Sequence, residues 1–286
     1  MRIVAFDKNG SHRIGVRRGG YVVDLSDAAP SLPKTLRGLL KNDLLEEACK
    51  AAEKASDESL LVLSELTLLP PVPDPPKFLC IGRNYAEHAK EGGAKISEYP
   101  DIFMRSHRSM IGPGAPIIRP KVSTNLDFEG ELMAIIGKTV FQTNEAQALS
   151  SIAGYSIFND VTLRDYQRRT SQWTMGKNFN GTGPVGPEFV SADELPTGCM
   201  GVQIQTRLNG SVMQNANTND MLFPVATAIA YLTQAMTLEP GDLIATGTPS
   251  GVGYARNPPL WMKPGDTIEV EIEGIGVLSN PVVDQT

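Results

Sequence analysis

The chain has 286 residues, 41% of them hydrophobic and 20% charged, with a formal net charge of −6. That composition excludes a disordered chain, and the acidic balance leaves no electrostatic footprint for nucleic acid. No apolar run approaches the roughly 18 residues needed to cross a bilayer, so neither nucleic acid nor membrane is expected as a partner.

The opening Met1-Arg2-Ile3-Val4-Ala5-Phe6-Asp7 has no signal-peptide pattern. Cys49, Cys80 and Cys199 are odd in number and unpatterned, as reduced thiols are. Together these predict a cytoplasmic protein.

In chain order, Arg13–Arg18 and Tyr21–Leu25 flank Gly19-Gly20 and predict a two-residue hairpin. Apolar residues recur at helical spacing from Leu36 to Ala55 and predict one long helix. Pro70-Pro71-Val72-Pro73-Asp74-Pro75-Pro76 reads as a stiff connector, because proline cannot donate to a ladder and biases its predecessor toward extended backbone. The expected division is a small N-terminal α+β domain over 1–70, a linker over 71–76 and a catalytic domain over 77–286.

Beyond the linker, Lys77–Ile81 predicts a short strand, Tyr85–Lys90 a short helix, and Leu126–Val140 a long strand. Asn209-Gly210 predicts a second hairpin, Phe223–Met236 a buried helix, and the period-two alternation of Asp266–Ile272 another strand. The fold class is α+β, dominated by sheet. Gly247-Thr248-Pro249-Ser250-Gly251 lacks the lysine of a phosphate-binding loop.

Alternation along the long strand points Glu129 and Glu131 to one face. Two carboxylates so close raise each other's pKa unless a proton or cation intervenes, and Asp160 closes a neighbouring apolar run where it can add a third oxygen. Three carboxylates without Cys or His suit a hard ion, Mg²⁺ or Mn²⁺ and also Ca²⁺. An exposed strand face is the plain alternative. His88 and Glu91, three apart on a helix, form the one histidine–acid pair at helical spacing, and a carboxylate beside an imidazole raises its basicity. Gly92-Gly93 supplies a hinge for that helix to move over a pocket. The polar clusters Arg164-Asp165-Tyr166-Gln167 and Gly176-Lys177-Asn178 offer donors for a carboxylate and an oxyanion.

Gly82-Arg83-Asn84-Tyr85-x-x-His88-x-x-Glu91, Glu129-x-Glu131, Asn159-Asp160-Val161-Thr162-x-Arg164-Asp165-x-Gln167, Gly176-Lys177-Asn178-Phe179 and Thr246-Gly247-Thr248-Pro249-x-Gly251-Val252-Gly253 together resemble the fumarylacetoacetate hydrolase family. The resemblance runs from about Lys77 to the C-terminus and is closest to the acylpyruvate hydrolase and oxaloacetate decarboxylase branch. It implies that family's β-roll, usually a homodimer, with Glu129, Glu131 and Asp160 as ligands of Mg²⁺ or Mn²⁺. It further implies His88, Glu91 and Lys177 as catalytic groups and Gln167 and Thr248 as substrate contacts. Arg83, Tyr85, Arg105 and Arg164 are added as expected substrate contacts. Where relatives often carry Phe-x-Lys-Pro, this chain has Phe103-Met104-Arg105-Ser106-His107-Arg108, which suggests a more acidic substrate tail. The activity this implies is metal-dependent hydrolysis of a C–C bond in a 2,4-dioxo acid, such as fumarylpyruvate or maleylpyruvate. The alternatives are decarboxylation of oxaloacetate and isomerisation of a hydroxymuconate-type dienol on the same site.

Overall fold

A computed structural model describes residues 1–57, 60–93 and 95–286. Among the described residues, twelve strands join one mostly antiparallel sheet. Its centre is Gly130–Ile136, buried throughout, between Ile152–Asn159 on one side and Leu243–Ala245 on the other. Leu132, Ala134 and Ile136 enter one core, while Met133 and Ile135 enter a second on the opposite face. The first core is covered by the helix Val225–Ala235, which supplies Val225, Ala228, Ile229 and Leu232.

The predicted N-terminal hairpin forms from Ser11–Arg18 and Tyr21–Asp24, with Gly19 at φ 62° where a left-handed turn is required. These strands extend the same sheet, since Arg2–Lys8 pairs with Gly183–Ser191 through Ile3 and Phe189. Their apolar residues Ile3, Ile14 and Val16 share the second core with Phe78, Met133 and Phe158. Sheet and core are therefore continuous across the proline-rich stretch.

Two predicted elements are corrected. The helix expected over 36–55 is two helices, Leu36–Lys41 and Leu45–Lys54, because Asp43 adopts a left-handed φ of 55° and the Asn42 side chain donates to the carbonyl of Gly38 at 2.8 Å. Asn and Asp tolerate that conformation, and their side chains compete with the helix for its hydrogen bonds. The strand expected over 126–140 breaks after Leu126–Asp127 and resumes at Gly130. Across the break, side chains replace ladder partners: Phe128 N–H donates to Asp127 Oδ1, Glu129 N–H to Asn159 Oδ1, and Gly130 N–H to Gln214 Oε1, at 2.9 to 3.0 Å.

The second hairpin turns at Asn209 (φ 51°) and Gly210 (φ 78°) between Gln203–Leu208 and Ser211–Asn217. It belongs to a separate five-stranded sheet with Thr267–Ile272, Gly276–Asp284 and Ile117–Arg119. A third core fills the space near that sheet and takes Phe128, so the break at 128–129 passes the chain from one core to another.

Candidate active site

The site grows from the register of two central strands. Gly130 pairs with Asn159 in an antiparallel ladder, so the residues just outside that pair, Glu129 and Asp160, lie side by side, and Asp160 N–H donates to the Glu129 carbonyl at 2.8 Å. Glu131, one pair further in, adds a third carboxylate. All three are buried, with ligand oxygens within 4.8 Å of one another.

Each carboxylate is fixed by a different element. Glu131 accepts the Gly247 amide at 2.8 Å. Gly247, at φ 92°, follows the strand Leu243–Ala245, and a Cβ there would lie 2.8 Å from the Ile81 carbonyl. Lys177 Nζ lies 2.6 Å from Glu129 Oε2 and 2.5 Å from Asp160 Oδ2. Arg164 reaches Glu129 Oε1 with NH2 at 2.6 Å and Asp127 Oδ2 with Nε at 2.7 Å. Arg105 NH1 pairs with Asp160 Oδ1.

Burial opposes the charge on Glu129, but Arg164, Lys177 and His88 outweigh it and hold its pKa well below the carboxylate range. Glu131 goes the other way: burial, then the charges of Asp160 and Glu129, push its pKa well up. The Lys177 ammonium loses by burial but gains more from Asp160 and Glu129, so its pKa rises and it stays charged. Glu131 is thus a carboxylate whose ionisation needs a further positive charge nearby. A hard divalent ion fits this all-oxygen donor set and would supply that charge.

The helix Ala86–Glu91 closes over the triad. His88 Nδ1 lies 2.8 Å from Glu91 Oε1, and Glu91 Oε2 accepts the Gly251 amide at 2.9 Å, which docks the helix on the loop that also holds Glu131. Because a carboxylate only accepts, Nδ1 carries the proton in this contact, and Nε2 is the nitrogen that acts as the base when the ring is neutral. His88, Glu129, Glu131, Asp160, Arg164, Gln167, Lys177 and Thr248 line one cavity of about 320 Å³, walled by Phe103, Trp173 and Tyr254.

The other expected contacts divide. Gln167 accepts from Arg164 NH1 at 3.0 Å, and Thr248 Oγ1 donates to the Gly130 carbonyl at 2.9 Å. Arg83 lines the rim, paired with Asp101 at 2.7 Å. Tyr85 and Arg105 do not line the cavity. Tyr85 is buried beneath the helix it caps, and its hydroxyl has no partner among the described residues. Arg105 is buried on Asp160, Ser109 and Thr182, behind the acidic floor. His107 and Arg108 project from an exposed turn.

Two residues that brace the cavity wall have no motif in the sequence. Asp127 gathers Gly253 N–H at 2.7 Å, Tyr254 N–H at 3.0 Å and Arg164 Nε onto one buried carboxylate. Gln214 joins Gly130 N–H to Thr248 Oγ1, the latter at 2.7 Å. The one available signal was a lone polar residue between apolar neighbours, Leu126-Asp127-Phe128.

Residues 77–283 match the family pattern described as fumarylacetoacetate (FAA) hydrolase C-terminal. The chain is 38% identical over 291 residues to oxaloacetate tautomerase fahd2, mitochondrial, of Xenopus laevis, covering 99% of this chain and 90% of that one. Among solved structures, it resembles fumarylacetoacetate hydrolase from Exiguobacterium antarcticum (TM-score 0.85, 36% identity, both chains fully covered). It also resembles maleylpyruvate hydrolase from Sphingobium sp. SYK-6 (TM-score 0.82, 28% identity, both chains fully covered). The β-roll, the ordered motifs and these likenesses agree: the chain belongs to the fumarylacetoacetate hydrolase family.

Proposed function

We propose that this chain is a divalent-metal-dependent enzyme that moves a proton at the carbon next to the oxo group of a 2-oxo acid, with keto–enol tautomerisation of oxaloacetate as its reaction. The observation that carries this reading is the pairing of His88 with Glu91 in the same cavity as the buried acidic triad. The 38% identity to an oxaloacetate tautomerase over nearly the whole chain supports it.

Glu129, Glu131 and Asp160 would hold a divalent metal, which when bound would supply Lewis acidity to the 2-oxo acid head. His88 Nε2 takes the proton from C3 of the keto form, the C–H electron pair becomes the C2=C3 bond, and the carbonyl pair moves onto O2. Lys177, kept cationic, offsets the negative charge there, and His88 returns the proton to that oxygen. Glu91 stabilises the imidazolium between the two transfers.

A second reading is hydrolysis of the C–C bond of an acylpyruvate such as fumarylpyruvate or maleylpyruvate. It is favoured by the same dyad, which is equally able to deprotonate a water, and by likeness to a maleylpyruvate hydrolase. Oxaloacetate decarboxylation and dienol isomerisation would draw on the same stabilised enolate. The homodimer and the Mg²⁺ or Mn²⁺ requirement are part of the proposal. Among the described residues no helix is long and apolar enough to cross a membrane, and the Xenopus relative is named as mitochondrial.

The test is to incubate metal-loaded protein with oxaloacetate, maleylpyruvate, fumarylpyruvate and a hydroxymuconate, and to follow the enol absorbance and the products. Accelerated enol–keto exchange of oxaloacetate without release of CO₂ supports tautomerisation. Release of pyruvate from an acylpyruvate at a higher kcat/KM would replace it with hydrolysis.

A further inference from the structure

The cavity is lined by the basic side chains Arg83, His88, Arg164, Arg168 and Lys177. Four of these already face carboxylates. Arg83 is paired with Asp101, His88 with Glu91, Arg164 with Asp127 and Glu129, and Lys177 with Glu129 and Asp160. Arg168 has no carboxylate partner among the described residues. Its guanidinium instead lies 4.2 Å from the centre of the Tyr254 ring, and the guanidinium of Arg164 lies 4.3 Å from the same ring. Tyr254 is in turn tethered by its backbone amide to Asp127 at 3.0 Å. A line of contacts thus runs from the buried floor, Glu129 to Arg164 to Tyr254, out to the exposed Arg168.

We propose that Arg168 is the specificity-determining residue of this site, receiving the second carboxylate of a 2-oxo dicarboxylic acid; this rests on the 2-oxo acid reading above. The head of the substrate belongs at the acidic floor, where the cations are already neutralised by Glu129 and Asp160. A second negative charge, a few bonds along the molecule, then meets one uncompensated cation at the mouth. Guanidinium suits that role because its planar fork binds a carboxylate through two parallel N–H donors. Stacking on a tethered ring restricts the long side chain beforehand and reduces the conformational entropy lost on binding.

The experiment measures hydrogen–deuterium exchange at C3 by NMR for oxaloacetate and for 2-oxobutanoate, which has the same head and no second carboxylate. Wild-type protein, Arg168→Met and Arg168→Lys are compared at equal metal loading. For Arg168→Met, KM for oxaloacetate should rise more than kcat falls. Its preference for the dicarboxylate should drop about tenfold, or ~1.4 kcal/mol. Arg168→Lys should recover part of that preference. An unchanged preference in an Arg168→Met protein of wild-type melting temperature overturns this assignment and leaves the 2-oxo acid reading standing. Failure of the wild type to exchange either compound overturns both.

Discussion

His88 Nδ1 and Glu91 Oε1 are 2.8 Å apart on one turn of helix, and the other oxygen of Glu91 is held by the Gly251 amide. Orientation of the base and closure of the helix over the cavity therefore depend on the same carboxylate. His88→Ala should lower turnover by about 10²- to 10⁴-fold, the usual contribution of a general base, while metal affinity holds. Glu91→Gln keeps one acceptor oxygen where Glu91 uses two, so it serves either the Gly251 amide or His88 Nδ1–H but not both, and it gives up the charge that favours imidazolium. A loss of about 10- to 100-fold is expected, as for groups that orient a functional imidazole. Parallel kcat and calorimetric metal titrations of both variants check this.

Stability and metal binding should be linked through Glu131. Its pKa is raised by burial and by Asp160 and Glu129, so without metal the folded state holds a proton that the unfolded state has released. Metal-free protein then loses stability as pH rises above the ordinary glutamate range, and a bound divalent cation reverses that loss. Acidification should weaken metal binding, starting above the ordinary glutamate range, because the proton and the ion compete. Metal at about 100 times its Kd should add about 2.7 kcal/mol at neutral pH. Melting curves with and without Mn²⁺ across pH show this, and Glu131→Gln should remove most of the response.

Arg105 and Asp160 form a buried pair whose side chains are fully inaccessible. Arg105→Met would leave Asp160 without one of its two cations and should cost about 3–5 kcal/mol, the range for removing one partner of such a pair. Urea unfolding of the metal-free variant measures it. An effect confined to KM, with stability unchanged, would return Arg105 to the role of substrate contact.

Asp127 ties Gly253, Tyr254 and Arg164 together without lining the cavity. Asp127→Asn keeps an acceptor but loses the charge opposite Arg164. A tenfold or greater fall in kcat/KM is expected, with Tm reduced by several degrees, since a buried cation loses a partner. Kinetics and thermal melts of one preparation test both effects.

Local rules made much of this legible. Gly19-Gly20 and Asn209-Gly210 marked real turns because two-residue loops need left-handed backbone, and glycine or asparagine adopts it. Period-two spacing brought Glu129 and Glu131 to one site even though Glu129 lies in the break, just before the strand resumes at Gly130. The interruption itself was not legible. It arises when backbone donors are satisfied by Asn159 and Gln214, 30 and 84 residues away, and such partners leave no periodic trace. The burial of Arg105 is illegible for a related reason: arginine is usually exposed, and only the tertiary fold shows three polar partners closing around it. The break at Asn42-Asp43 carried a signal, two residues that favour turns, which helical spacing of the leucines outweighed.

The most direct measurement is the rate of enol loss from oxaloacetate catalysed by chelator-stripped protein before and after Mn²⁺ is restored, with the same free-metal concentration in protein-free controls. The expected result is a rate near background when stripped, full recovery on adding metal, and at most about one hundredth of that recovered rate in His88→Ala. Equal rates in wild type and His88→Ala at saturating metal, or undiminished activity of the stripped protein, would contradict it.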